Sequence, residues 1–162
     1  GEVIMTDEGP CLVEMNCRAH GGDGNWRPLC RALTGGYSQV EATVDAYLYP
    51  EDFAQLPDLP PSPFYASGQE VILVSNSRGK VVSTPGFEVL KNLPSFCVLE
   101  SGVHAGSEVE YTVDLLTCIG SVILLHPDPE VLKRDIEFLR TLETINGFFV
   151  YETKLENLKR PT

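Results

Sequence analysis

Four prolines, Pro57, Pro60, Pro61 and Pro63, stand within seven residues of one another and constrain the fold more than any other feature of the chain. Each fixes φ and removes a backbone donor, so neither a helix nor a central strand can run through this stretch. The pattern on its two sides also differs. Before it, apolar residues recur with helical spacing, and after it they fall into short runs of strand length. The sequence therefore divides into a segment 1–50, an extended proline-rich linker 51–67 and a strand-rich segment 68–162.

In the first segment, Val3-Ile4-Met5 and Cys11-Leu12-Val13-Glu14-Met15 flank the turn-formers Asp7-Glu8-Gly9-Pro10, which predicts a hairpin over residues 2–17. A short helix follows, with Asn25 as a possible cap, Pro28 in its first turn, Trp26, Leu29 and Leu33 on one face and Gly35-Gly36 as its stop. Ser38-Gln39-Val40-Glu41 reads as a capping box opening a second helix with Val40, Val44, Tyr47 and Leu48 turned inward and Pro50 at its end.

Beyond the linker, Glu70 to Ser75 and Lys80 to Thr84 around Asn76-Ser77-Arg78-Gly79 predict a second hairpin. Further strands are expected at Phe96–Glu100, Glu108–Val113 and Cys118–Leu125. A last helix from Asp128 should turn Leu132, Ile136, Leu139 and Leu142 inward and close at Asn146-Gly147, before a strand from Phe148 to Glu152 returns to the sheet. The fold class is α+β.

Charge narrows the function. The chain carries 23 acidic against 12 basic residues, a formal charge of −11, which repels nucleic acid and anionic membranes and favours divalent cations as guests. No apolar run approaches the roughly 18 residues of a membrane span. Five cysteines, Cys11, Cys17, Cys30, Cys97 and Cys118, lack a C-x-x-C pair and read as reduced thiols buried in the core of a soluble, cytoplasmic protein. Gly1-Glu2-Val3-Ile4 enters a strand-like run without an initiator methionine, so a piece of a longer protein is expected.

Glu14 and Asn16 stand two apart in the predicted hairpin, which places both on one face of a strand with bases about 6 to 7 Å apart. On a solvated edge they simply face water. On a cleft, their oxygens suit a hard cation such as Mg²⁺. A three-residue loop with a bulge at Gly9, or a five-residue loop, brings Glu2 opposite Glu14 or Asn16, whereas a two- or four-residue loop sends it to the other face. Two carboxylates about 4 Å apart repel by roughly 4 kcal/mol at an effective dielectric near 20, so such a cluster calls for a cation or a proton.

Glu2-Val3, a turn ending in Gly9-Pro10, then Leu12-Val13-Glu14-Met15-Asn16-Cys17-Arg18 and Gly21-Gly22 resemble the closing hairpin of the ATP-grasp superfamily, especially its carboxylate–amine ligases of the L-amino-acid ligase and carnosine synthase kind. The resemblance implies the end of an ATP-grasp domain over residues 1–50, followed by the small C-terminal α+β subdomain. It further implies that Glu2, Glu14 and Asn16 bind Mg²⁺ or Mn²⁺ on the phosphates of ATP, and that Arg18 is catalytic, meeting the transferred phosphate or acyl phosphate. His20, Gly21, Gly22 and Asp23 would then lie against the small carboxylate and amine substrates, amino acids among them. His20 either takes a proton from the amine or makes an ordinary hydrogen bond, and Gly21-Gly22 either admits substrate to the backbone or forms a plain tight turn.

The nucleotide-binding portion of such a ligase has no counterpart in these residues, so the segment alone is expected to be inactive. A homo-oligomer stays open for the complete protein. Two other readings stand beside the ligase: a truncated, non-catalytic ATP-grasp relic serving as a binding or assembly module, and an unrelated acidic α+β domain in which Glu-x-Asn is accidental. His104 and His126 have no partners at metal spacing and read as surface or packing residues, and Trp26 and Phe148-Phe149 read as core anchors.

Overall fold

A computed structural model describes residues 1–22 and 24–152. The chain opens with a hairpin of β1 (Glu2–Thr6) and β2 (Gly9–Glu14), followed by α1 (Arg27–Thr34), α2 (Gln39–Leu48) and α3 (Pro50–Phe53). After the proline-rich stretch come β3 (Ser67–Leu73), β4 (Gly79–Ser83), α4 (Pro85–Lys91), β5 (Phe96–Glu100) and β6 (Glu108–Val109). A 3₁₀ turn (Leu115–Thr117), β7 (Gly120–His126), α5 (Pro129–Thr144) and β8 (Val150–Tyr151) complete the described chain. Among the described residues all strand pairing is antiparallel, in three sheets ordered β1-β2, β3-β7-β5 and β6-β4-β8. The architecture is α+β, as the periodicities predict.

The core lies between the two three-stranded sheets and the helices against them. Val71 and Leu73 come from β3, Val122 and Leu124 from the central β7, Leu132, Leu139 and Leu142 from α5, and Phe87 and Leu90 from α4. Phe148 and Phe149 sit among them, stacked edge-on or tilted with Phe87 at centroid separations of 5.3 to 5.9 Å. Asp128 caps α5 by accepting from Glu130 N, with Pro129 in the first turn, where its missing N–H is no loss. Gly86 allows α4 to meet the chain returning from α5: a Cβ there would stand 2.5 Å from Phe148 Cα. A comparable closeness joins α1 to β3, since a Cβ on Gly68 would meet Leu29 Cδ1 at 2.6 Å.

Several expectations give way. β3 and β4 form no hairpin; they belong to different sheets. The chain between them is pinned instead by a buried carboxylate, with Glu143 Oε1 accepting from Val74 N at 3.0 Å and the Glu143 carbonyl accepting from Asn76 Nδ2 at 3.1 Å. β6 stops at Val109, where Glu108–Val113 was expected to be strand, because Thr112 N turns to Ser75 O and Asp114 then closes a capping box with Thr117. Pro50 ends α2 as expected but starts α3, whose single turn runs on into the predicted linker. α4 has too few residues to display an apolar period, and only Pro85 after Thr84 has the position of a helix start.

α1 is not capped by Asn25, whose N–H goes back to Gly22 O; Trp26 holds the cap position without a side-chain bond, and Gly35 stops the helix at φ 80°. Trp26 is buried, as a core anchor should be. α2 has no buried residue, and Val40, Val44, Tyr47 and Leu48, expected to face inward, are all exposed. The cysteines are free but not buried: Cys11, Cys17 and Cys97 are exposed, and Cys30 and Cys118 half-buried. Cys11 lies on the exposed hairpin and Cys17 on its exposed exit, and Cys97 lies on an outer strand. Among the described residues no helix is long and apolar enough to cross a membrane.

Candidate metal-binding hairpin

The hairpin turns on a two-residue loop, Asp7-Glu8, between the paired residues Thr6 and Gly9. Gly9 adopts φ 110°, a conformation side-chain-bearing residues avoid, and Thr6 Oγ1 braces the turn by donating to Gly9 O at 2.8 Å and accepting from Glu8 N at 3.3 Å. By loop length alone Glu2 would be sent to the wrong face. It is not, because the register shifts at the open end: Val3 pairs with Leu12, but Glu2 pairs with Glu14, which leaves Val13 as an extra residue on β2. A bulge of this kind kinks the strand and re-aims the side chains beyond it. The irregularity thus sits beside Glu2, not at Gly9, and it brings Glu2 and Glu14 across from each other in the register.

β2 ends at Glu14, so Asn16 lies on the strand's exit and not on the strand face its spacing suggested, with Arg18 two residues further on. Asn16 still joins Glu14, its Nδ2 donating to Glu14 Oε1 at 2.6 Å. Glu2, Glu14 and Asn16 are all exposed. The set offers two carboxylates and one amide oxygen, hard ligands that suit Mg²⁺ or Mn²⁺. A rotation of the Asn16 amide would exchange its hydrogen bond for an oxygen directed at an ion held by Glu14. Among the described residues no group of three or more His, Cys, Asp or Glu side chains gathers at metal-binding range; the hairpin set contains only two such residues, its third ligand being an amide.

Arg18 Nη1 donates to the neighbouring Ala19 carbonyl at 3.0 Å, and among the described residues the guanidinium pairs with no carboxylate. His20 is tied from behind, its N–H donating to Gln39 Oε1 at 2.9 Å and its ring tilted against Trp26 at 5.7 Å between centroids. The Gly21 carbonyl accepts from Trp26 Nε1, and Gly22 takes φ 80° in a turn closed by Asn25 N to Gly22 O. The glycine pair therefore makes a tight turn whatever else it does. Asp23 lies outside the described residues. His104 is exposed, its ring against Ala105 O, and His126, at the end of β7, is half-buried, its ring against the Asp128 backbone.

Gln39, the second residue of the Ser38–Glu41 capping sequence, ties the hairpin exit to α2 through His20 N. Its own position is set by an ion cluster between α1 and α2. Glu41 pairs with Arg27 and Arg31 and accepts from Ser38 Oγ, while Ser38 Oγ accepts from Val40 N. The expected capping box is thereby altered, since the Glu41 carboxylate is engaged by the Ser38 hydroxyl and the two arginines. The Ser38 hydroxyl, followed by Arg27, holds the Glu41 carboxyl down to about 2. Tyr37 donates to Asp45 Oδ2 at 2.5 Å, and this bond to a carboxylate, with burial and Asp45's charge behind it, pushes the phenol up to about 12.

No protein-family model matches the chain. Dapdiamide A synthase of Enterobacter agglomerans is 28% identical to it over 145 residues, covering 88% of this chain and 33% of that protein. The crystal structure of an L-amino acid ligase from Bacillus licheniformis superposes with a TM-score of 0.66 at 15% identity, covering 93% of this chain and 35% of the other. The chain spans about a third of the length of each.

Proposed function

We propose, from the premise that this chain carries the fold of an ATP-grasp ligase, that it forms the metal-binding wall of an ATP-dependent, ADP-forming carboxylate–amine ligase and works as part of a larger assembly, in the cytoplasm. The observation that carries the proposal is the bulged register that sets Glu2 across from Glu14, with Asn16 bonded to the same carboxylate.

In such a reaction an oxygen of the substrate carboxylate bonds to the γ-phosphorus of ATP as the β,γ-bridging P–O bond breaks and ADP leaves. The amine then bonds to the carbonyl carbon of the acyl phosphate, phosphate departs and the amine loses a proton. Glu2, Glu14 and Asn16 would hold Mg²⁺, which when bound supplies charge neutralisation at the phosphate oxygens. Arg18 stays protonated throughout and offers a planar pair of donors to the phosphoryl or acyl-phosphate oxyanion. Gln39 holds the His20 backbone in place, and in this reading His20, Gly21 and Gly22 border the substrate. A rigid strand pair suits these duties, since small displacements of reacting groups slow such reactions steeply.

The test is Mn²⁺ titration of the chain followed by electron paramagnetic resonance, with phosphate release measured on the complete protein. Glu14→Ala should weaken Mn²⁺ binding at least tenfold and abolish ATP-dependent phosphate release, and His104→Ala should leave both near normal. Full turnover by Glu14→Ala would refute the assignment. A second reading, a non-catalytic binding or assembly module, draws support from Val3, Ile4, Met5, Leu12 and Val13, all exposed on the two strands. Absence of any nucleotide-dependent turnover from the complete protein, with Mn²⁺ bound, would favour it.

A further inference from the structure

Arg18 stands on a stretch with neither strand nor helix to stiffen it, since β2 ends at Glu14 and α1 starts only at Arg27. A long side chain on such a stretch samples many rotamers, and a cation that wanders does little for a reacting group. Two side chains from outside the hairpin remove that freedom. Gln39 Oε1 accepts from His20 N at 2.9 Å, and Trp26 Nε1 donates to the Gly21 carbonyl, so two successive residues are each tied by a backbone group. The Trp26 ring also lies tilted against the His20 imidazole, and a Cβ on Gly22 would stand 3.7 Å from Trp26 Cδ1. Both holders are firmly mounted. Trp26 is buried at the start of α1, Gln39 is the first residue of α2, and Glu41 joins the two helices through Arg27 and Arg31.

The held backbone in turn seats the arginine. Arg18 Nη1 donates to Ala19 O at 3.0 Å, and a Cβ on Gly21 would stand 3.8 Å from the same nitrogen, so the guanidinium lies folded over the residues that Gln39 and Trp26 fix. Arg18 and Gln39 both line an open cleft of about 600 Å³ between the hairpin exit and α2. We infer that Gln39 and Trp26 are positioning residues: through His20 N and Gly21 O they set where the Arg18 guanidinium stands in that cleft. A neutral carbonyl takes one of its five N–H donors and cancels none of its charge, as a carboxylate partner would. The inference rests on the ligase reading for giving the guanidinium a task; the clamp itself stands on these contacts.

The clamp is tested by nuclear magnetic resonance on the isotopically labelled chain, through hydrogen exchange of the His20 amide and the Nε–H signal of Arg18. Gln39→Met keeps the length of the side chain and removes its oxygen; it should speed His20 exchange about fivefold to tenfold and shift the Arg18 signal, with Tm held within about 2 °C. Gln39→Glu still offers an oxygen and should restore slow exchange. Trp26→Phe keeps a ring in place, removes the bond to Gly21 and should move the Arg18 signal as well. The clamp is overturned if Gln39→Met leaves both readouts as in the native chain, if it lowers Tm while the Arg18 signal stays put, or if Gln39→Glu exchanges as fast as Gln39→Met. The task of the clamp is read on the complete protein, as ATP-dependent phosphate release with L-amino acids supplied as a mixture. There Gln39→Met should lower kcat about tenfold and leave KM for ATP within about twofold. Full turnover by Arg18→Ala, with the resonance shifts present, removes the ligase role of Arg18 and keeps the clamp. Loss of turnover in Arg18→Ala but none in Gln39→Met refutes positioning and keeps the ligase.

Discussion

Truncating Glu143 to alanine tests how the two core sheets are joined. The carboxylate is 5% exposed, accepts from Val74 N at 3.0 Å and receives Arg140 Nη1 at 2.8 Å on each oxygen. Removing it leaves the Val74 N–H without its acceptor at a half-buried site, a loss of about 1–2 kcal/mol. The Arg140 pair adds only about 0.5 kcal/mol, because that side chain is 46% exposed and screened. Loss of buried methylene area contributes roughly 1 kcal/mol more. Glu143→Ala should therefore destabilise the chain by about 2.5–3.5 kcal/mol, equivalent to a fall in Tm of about 5–14 °C. Glu143→Gln keeps an oxygen for Val74 N and the same stem, so it should lose about 1 kcal/mol or less. Urea unfolding followed by circular dichroism measures both. If Glu143→Ala lies within about 0.5 kcal/mol of the native chain, or if Gln is as damaging as Ala, an acceptor for Val74 is not what holds this junction.

Other perturbations follow from the same structure. Leu139→Ala opens a cavity at a fully buried position of α5 and should lower stability by about 2–5 kcal/mol in the same unfolding assay. Gly86→Ala places a methyl 2.5 Å from Phe148 Cα, a backbone atom that cannot step aside, so a destabilisation of about 1–3 kcal/mol or more is expected; an unchanged Tm would contradict that packing. Glu41, lowered from 4.5 to about 2, is lower in the folded state, so its contribution is present above pH 4.5 and lost as pH falls from there through about 2. Carboxyl resonances followed through acid titration should show it. Tyr37 runs the other way: raised from 10.0 to about 12, its contribution holds below pH 10 and fades as pH climbs through about 12, and ultraviolet titration of the phenol should show the late transition.

What could be read from the residues follows what is local. The N-terminal hairpin, the stop at Gly35, the cap at Asp128 and the inward stripe of α5 depend on neighbours a few residues apart, and each is present in the structure. The partnering of β3 and β4 is a tertiary choice. Asn76 to Gly79 has the chemistry of a turn, but Glu143, 69 residues beyond Val74, takes that segment elsewhere. α4 escaped notice because its seven residues are too few to display a period. At the candidate site, residue types and spacing pointed to Glu2, Glu14 and Asn16, whereas loop length misjudged how Glu2 reaches Glu14, since a bulge at Val13 leaves no mark in composition. Gln39 and the cleft beside Arg18 exist only once α2 is laid against the hairpin exit.

The break in register between Phe96 and Val98, where β5 meets β7, has its own effect at the flank of that sheet. β5 is the outermost strand there, five residues long, and a flank of free amides and carbonyls invites another molecule's strand to extend the ladder. A strand kinked at its second residue offers no straight row to copy. Self-templated stacking through this flank is thereby discouraged, and the sheet is terminated by its own irregular geometry even though an unprotected thiol, Cys97, sits at the same spot.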